Sequence, residues 1–266
     1  MENVTIILLV SREEYIEKVL SSIELLDCSS ESTNLFAVVD SNNELFVKTR
    51  NLVEKTRFNK KLVVKYDGEF IDKHDYLARR YRIADIHNYI KKYLFNSDYI
   101  FIVEDDTIIQ SDTLKKLLLN YRIKPNAGFI EGVQLGRWGT PYVGAWKVDN
   151  VYEPTEITSI VKNSENNLEK IDTGGFYCVL TKFNTYYNHK FDVYGNNILG
   201  PDFNFGLSLR REGYENYIDW DIITTHKTEE FGDINIKTTN PKIVQFKYDG
   251  KKRIWESKEI SEHKIS

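Results

Sequence analysis

The sequence predicts an α/β domain built on one mainly parallel sheet. In its first half, short apolar runs alternate with segments whose apolar residues recur at helical spacing. The fourth run, Tyr99-Ile100-Phe101-Ile102-Val103, is unbroken, as expected of a strand covered on both faces. That run ends abruptly in Glu104-Asp105-Asp106. Ligands in open α/β sheets bind just beyond the carboxyl ends of strands. Three adjacent carboxylates repel one another unless a cation or hydrogen-bond donors offset the charge. The cluster therefore points to a hard metal ion and a phosphate-bearing ligand.

Each element of the first half follows from its pattern. Residues 5–10 are a strand, and Ile16, Val19, Leu20, Ile23 and Leu26 recur as one helix face. Residues 35–39 form a second strand ending in Asp40, followed by a helix face of Leu45, Thr49, Leu52 and Val53. Residues 62–64 form a third strand, and Ile83, Ile86, Ile90 and Leu94 mark a longer helix before the acidic strand. This alternation argues for parallel strands joined by right-handed crossovers. Beyond the acids, Ser111 or Asp112 can cap a helix buried through Leu114, Leu117, Leu118 and Tyr121.

The second half is less regular. Residues 127–133 and 176–180 read as strands, and 136–146 is rich in glycine and aromatics. Residues 151–170 are polar and read as a mobile loop. Gly200-Pro201-Asp202 opens a helix that Gly213 can end. Residues 217–225 form a strand ending in His226. The tail reads as a hairpin, 244–248 and 253–255 around Asp249-Gly250, followed by a solvated charged end.

Bulk properties narrow the function classes. The chain has 266 residues, 41% apolar and 29% charged, enough for a substantial core. No Gly/Ser/Pro-rich linker divides it, so one domain is expected. A net charge of −4 does not advertise nucleic-acid binding. Two cysteines, Cys28 and Cys178, make no disulfide framework, so a reducing, cytoplasmic setting is the default. The N-terminal apolar run is too short to span a membrane and lacks the flanks of a signal peptide.

Several residues can carry chemistry. Glu104 and Asp106 share one side if the chain stays extended, although an acid cluster can equally begin a solvated loop. His226 ends a strand that can face the same crevice, and imidazole is an acceptable Mn²⁺ ligand. A single histidine is more commonly a surface or satisfied core residue. Asp202 sits in a first helical turn, where the dipole favours its ionised form; it is the candidate base, though acids are common there for stability alone. Gly174 and Gly175 admit close backbone approach or simply make a turn. Arg79, Arg80 and Arg82 lie on the helix before the acidic strand and can reach phosphates, or form a solvated basic face. Trp138 and Trp146 flank the glycine-rich loop and can stack on a sugar, with packing the commoner role.

Taken in order, these motifs resemble those of GT-A-fold glycosyltransferases, in particular the large inverting family with many bacterial and viral sugar transferases. Glu104-Asp105-Asp106 resembles its DxD motif in a Glu-Asp-Asp form. Asp172-Thr173-Gly174-Gly175-Phe176 resembles the glycine loop that lines the donor sugar. Gly200-Pro201-Asp202-Phe203-Asn204-Phe205-Gly206-Leu207, continuing to Arg210 and Gly213-Tyr214, resembles the family pattern that carries the catalytic base. His226 falls where a C-terminal metal-binding histidine is expected, and Asp40 matches an acid that contacts the nucleotide base. Pro201 and Asn204 depart from the family's usual Glu and Asp.

The resemblance implies a GT-A fold with a Rossmann-like sheet and a smaller mixed acceptor-side part. Residues 1–228 would form the catalytic domain, divided into a nucleotide-sugar half (1–110) and an acceptor half (111–228), with 229–266 packed on it. It implies an inverting, metal-dependent transfer from a nucleotide-diphosphate sugar, most simply a UDP-sugar, to an acceptor hydroxyl. Asp202 would be the base. Asp40, Arg82, Glu104, Asp105, Gly174 and Gly175 would hold the donor, Trp138 would stack on sugar or acceptor, and Asp106 and His226 would bind Mn²⁺ or Mg²⁺. The acceptor, whether glycan, protein or modified nucleobase, is not legible. Two alternatives stand beside this reading: a sugar-phosphate nucleotidyltransferase, whose glycine-rich signature is missing after the first strand, and a degenerate binding module.

Overall fold

The first four apolar runs become β1 (Val4–Val10), β2 (Thr33–Asp40), β3 (Lys61–Tyr66) and β4 (Tyr99–Glu104). This is a computed structural model, and it describes residues 2–40, 42–68, 75–136, 141–162, 165–193, 199–229, 231–249 and 254–260. The intervening helices are α1 (Ile16–Glu24), α2 (Asn43–Glu54) and α3 (Tyr76–Ile90). Asn42 and Asp75 cap α2 and α3, accepting hydrogen bonds from the Leu45 and Ala78 amides.

After β4 come β5 (Thr107–Ile108), α4 (Thr113–Ile123), β6 (Ala127–Val133), β7 (Leu135–Gly136), β8 (Tyr142–Val143), β9 (Ala145–Val148), β10 (Glu156–Ser159), β11 (Leu168–Ile171), β12 (Thr173–Gly174) and β13 (Cys178–Lys182). Then follow α5 (Phe183–Asn188), α6 (Pro201–Arg211), β14 (Glu215–Ile223), β15 (Thr225–Thr228), β16 (Gly232–Ile234), β17 (Ile243–Asp249) and β18 (Ile254–Ile260). Pro201 starts α6, and Gly213 follows its end at φ 88°, where an L side chain would be strained.

The large sheet runs β3-β2-β1-β4-β13-β6-β14-β11. Strands β1 to β4 are parallel, β13 is antiparallel to both neighbours, and β6 and β14 are parallel. Alternate residues of the central strands feed two separate cores. Ile6, Leu8, Phe101 and Val103 pack with α1, α2 and α4. Ile7, Ile100 and Ile102 pack with α3, α5 and α6. Both faces are thus covered, which accounts for the unbroken apolar runs. Cys178 lies in the first core, free of any disulfide.

From β1 the chain moves outward to β2 and β3, then returns to the other side of β1 as β4. The strand order therefore reverses between β1 and β4, the position where open α/β sheets leave a crevice. The acidic triplet stands at that reversal.

The second half differs from expectation in three places. Within 151–170, read as a mobile loop, β10 and β11 are ordered strands; Ile157 is buried against Phe203 and Leu207, and β10 lies between β9 and β17. The tail pairs as the expected antiparallel hairpin, β17 with β18, but β18 continues to Ile260 where a solvated charged end was expected. It is the edge of a second, five-stranded sheet, β12-β9-β10-β17-β18. His226 does not end the strand over 217–225. That strand stops at Ile223, and His226 lies within β15, which pairs with β5 and β16. Among the described residues, no helix is long and apolar enough to cross a membrane.

Candidate functional site

Register brings the ends of β1 and β4 together. Leu9 pairs with Glu104, so Ser11 and Arg12 emerge beside Asp105 and Asp106. Asp105 is buried and turns both oxygens to the two residues that follow β1. Its Oδ2 accepts from the Ser11 amide (2.5 Å) and hydroxyl (3.1 Å) and from the Arg12 amide (2.7 Å). Its Oδ1 accepts from Arg12 Nε at 2.9 Å and Nη2 at 2.5 Å. Arg12 Nη1 reaches on to Asp106 Oδ2 at 2.5 Å. Burial alone would lower the Arg12 pKa, but Asp105 and Asp106 outweigh it and raise it.

Asp106 is 1% exposed and meets His226, whose Nε2 lies 3.1 Å from Asp106 Oδ2. The pairing of β5 with β15 sets this approach, with Thr107 opposite His226 and the Lys227 amide donating to the Asp106 carbonyl. The other imidazole nitrogen, Nδ1, is 2.6 Å from the Leu135 carbonyl. A carbonyl only accepts, so this contact assigns a proton to Nδ1; in the neutral imidazole the Nε2 lone pair then faces Asp106.

Two acceptors at that distance need a proton or a cation between them. An imidazole whose far nitrogen donates to a backbone carbonyl is the usual form of a metal-ligating histidine. Carboxylate and imidazole together suit Mn²⁺. Among the described residues, no three His, Cys, Asp or Glu side chains converge on one metal position. Asp106 and His226 would supply the protein ligands, leaving diphosphate oxygens and water to complete the shell.

These groups face a cavity of about 410 Å³ at the carboxyl ends of β1, β2 and β4, within the usual size of a ligand site. Burial, reinforced by neighbouring Asp106, pushes the Glu104 carboxyl up to about 8. Asp40 lies farther along the rim, where its Oδ1 accepts from Arg82 Nε at 2.7 Å and from Arg82 Nη2. The two residues expected at the donor are thus an ion pair, with the guanidinium over the Tyr66 ring at 5.5 Å.

Asp202 also lines the cavity, from the first turn of α6. Burial raises its pKa, opposed by the Phe203 amide and by the charge of Arg80. Several contacts weld α6 to the glycine loop. Thr173 Oγ1 donates to the Phe203 carbonyl (2.9 Å), and Asn216 Nδ2 donates to the carbonyls of Asp172 (2.8 Å) and Gly206 (2.9 Å). Asp172 accepts from the Val148 amide and from Arg210 Nε. Asn204 turns away from the cavity to donate to the Asp192 carbonyl at 3.2 Å.

Gly174 and Gly175 both line the cavity. A Cβ on Gly174 would lie 1.9 Å from Glu131 Oε2, so Gly174 leaves room for a buried acid beneath the loop. Glu131 is fully buried, accepts from Tyr177 OH at 3.2 Å, and burial holds its pKa well above normal. Trp138 lies outside the described residues. Trp146 does line the cavity, packed between Tyr142 and Phe246 at 5.1 and 5.5 Å.

The chain is similar in fold to a mannosyltransferase. The solved structure is PcManGT from Pyrobaculum calidifontis, in complex with GDP-Man and Mn²⁺, with a TM-score of 0.56 and 15% identity. The match covers 83% of this chain and 55% of that one, so the chain spans about half the length of that enzyme. No protein-family model and no curated protein matches the sequence. The shared fold is the mixed α/β architecture with its large sheet flanked by helices.

Sequence reasoning missed Ser11, Arg12, Glu131 and Phe246. Glu131 had a signal, since it is an acid inside the apolar strand Phe129-Ile130-Glu131-Gly132-Val133. Arg12 had none, because only the β1–β4 register shows that it faces the triplet.

Proposed function

We propose that this protein is a metal-dependent glycosyltransferase that moves a sugar from a nucleotide-diphosphate sugar to an acceptor hydroxyl. One observation carries the reading: the Asp106–His226 pair and Asp202 line one cavity at the strand-order reversal. The similarity in fold to an enzyme solved with GDP-Man and Mn²⁺ supports it.

In this reading Asp40 and Arg82 meet the nucleotide, Glu104 the ribose, and Gly174 and Gly175 the donor sugar. A divalent ion held by Asp106 and His226 would neutralise charge on the departing diphosphate. Asp202 accepts the acceptor hydroxyl's proton as that oxygen attacks the anomeric carbon from the face opposite the diphosphate. A single displacement inverts that centre. The raised pKa of Asp202 suits a proton acceptor, and Arg80 limits the rise. UDP is the proposed nucleotide, with GDP as the comparison that the similar fold demands.

The test is nucleoside-diphosphate release by the purified chain from a panel of UDP- and GDP-sugars, with Mn²⁺ and with EDTA. Metal-dependent release from one donor supports the reading. Release of pyrophosphate from a sugar phosphate and a nucleoside triphosphate would replace it with nucleotidyl transfer.

A further inference from the structure

The cation that meets the acidic triplet in this structure is the protein's own. A carboxylate offers about four lone-pair sites, and Asp105 already accepts from Ser11 N, Ser11 Oγ, Arg12 N, Arg12 Nε and Arg12 Nη2. Asp105 is therefore saturated by its neighbours and fixes the guanidinium in place. Only Nη1 extends past it, to Asp106 Oδ2, the same oxygen that faces His226 Nε2. The arginine and a divalent ion would contend for one oxygen.

We propose that Arg12 is a resident counter-ion that competes with the divalent metal for Asp106. It offsets part of the charge on Asp105 and Asp106 until metal and donor arrive, and metal binding then displaces Nη1 alone. Nε and Nη2 stay on Asp105, so the displaced nitrogen remains at the cavity wall, where a diphosphate oxygen can accept from it. Arg12 is thus a positioning residue, and Asp105 acts through it. The inference rests on the metal reading of Asp106 and His226.

Mn²⁺ binding to the full chain tests it, followed by the loss of the free-ion EPR signal, with Mn²⁺ alone and with UDP or GDP. Arg12→Met keeps the aliphatic stem and removes the competitor; it should bind Mn²⁺ alone at least tenfold more tightly than the unaltered chain. Arg12→Lys retains a charge on the stem but cannot span both acids, so it should also bind Mn²⁺ more tightly while preserving the fold. A purely structural arginine would make both variants bind more weakly. The proposal is overturned if both variants retain the native circular dichroism and bind Mn²⁺ no more tightly. His226→Ala separates the two ideas. If it weakens Mn²⁺ binding while the Arg12 variants change nothing, only the competition fails. If no form binds Mn²⁺, or His226→Ala has no effect, the metal site fails and the competition with it.

Discussion

Asp106 and His226, 120 residues apart in the chain, stand 3.1 Å apart in the fold. Two short strands, β5 and β15, produce that meeting. Neither belongs to the large sheet, so a pair of minor elements builds the part of the site that the acid triplet cannot supply alone. EDTA should abolish sugar transfer and Mn²⁺ should restore it. His226→Ala should need roughly 10- to 100-fold more Mn²⁺ for half-maximal rate, the usual effect of weakening a metal shell. A metal titration of initial rates reads this directly.

Asp202→Asn should lower kcat by roughly 10²- to 10⁴-fold, the usual contribution of a positioned base. The KM for donor should change little, because in the proposed reading Asp202 acts on the acceptor hydroxyl and not on the metal–diphosphate. Steady-state kinetics on the donor found in the panel decide it. An unchanged kcat would remove Asp202 from the chemistry.

Gly174→Ala should destabilise the protein by about 1–3 kcal/mol, the range for overpacking a filled interior. The new methyl group would collide with Glu131. Glu131→Ala should recover part of that loss in the double variant, whereas Glu131→Gln should cost little alone, since burial already favours the uncharged acid. Denaturant unfolding of the four forms gives the coupling.

Acid stability should depend on His87. Its Nδ1 lies 2.6 Å from Tyr186 OH inside an aromatic cluster, and burial, with Lys91 and His189 nearby, lowers its pKa to about 3. The unfolded chain binds this proton below about 6.5, while the folded chain does not. Its contribution is therefore complete above pH 6.5 and is lost as pH falls toward 3, by up to about 1.4 kcal/mol per pH unit. His87→Gln removes the titration, and its unfolding free energy should fall less steeply between pH 6.5 and 4.

The legible parts of this protein were those that follow from local pattern. The β1–α1–β2–α2–β3–α3–β4 order shows in apolar spacing because both sheet faces are covered and each helix buries one stripe. Pro201 and Gly213 mark the limits of α6 for the backbone reasons that the structure bears out. Less legible were elements whose partners are distant. Polarity hid β10, since Ile157 and Ser159 point inward while Glu156 and Thr158 do not. Ile83 looked like part of the buried α3 stripe but is 36% exposed at the cavity edge. Arg12 carried no local signal because its meaning lies in the neighbouring strand. Asp40 and Arg82 were each legible as candidates, yet their pairing depends on how α3 packs across β2.

The 120-residue separation of Asp106 from His226 also orders events during synthesis. At about 5–20 residues per second, the acids emerge roughly 6–24 s before the imidazole. During that interval the proposed second metal ligand is still to be made. A chain halted before Thr225 would own every acid of the triplet and still lack the proposed second ligand for a metal–diphosphate complex. In the proposed reading, donor cleavage would thereby be withheld from unfinished molecules, and a ribosome-stalled or proteolytically clipped fragment would be inert rather than wastefully hydrolytic.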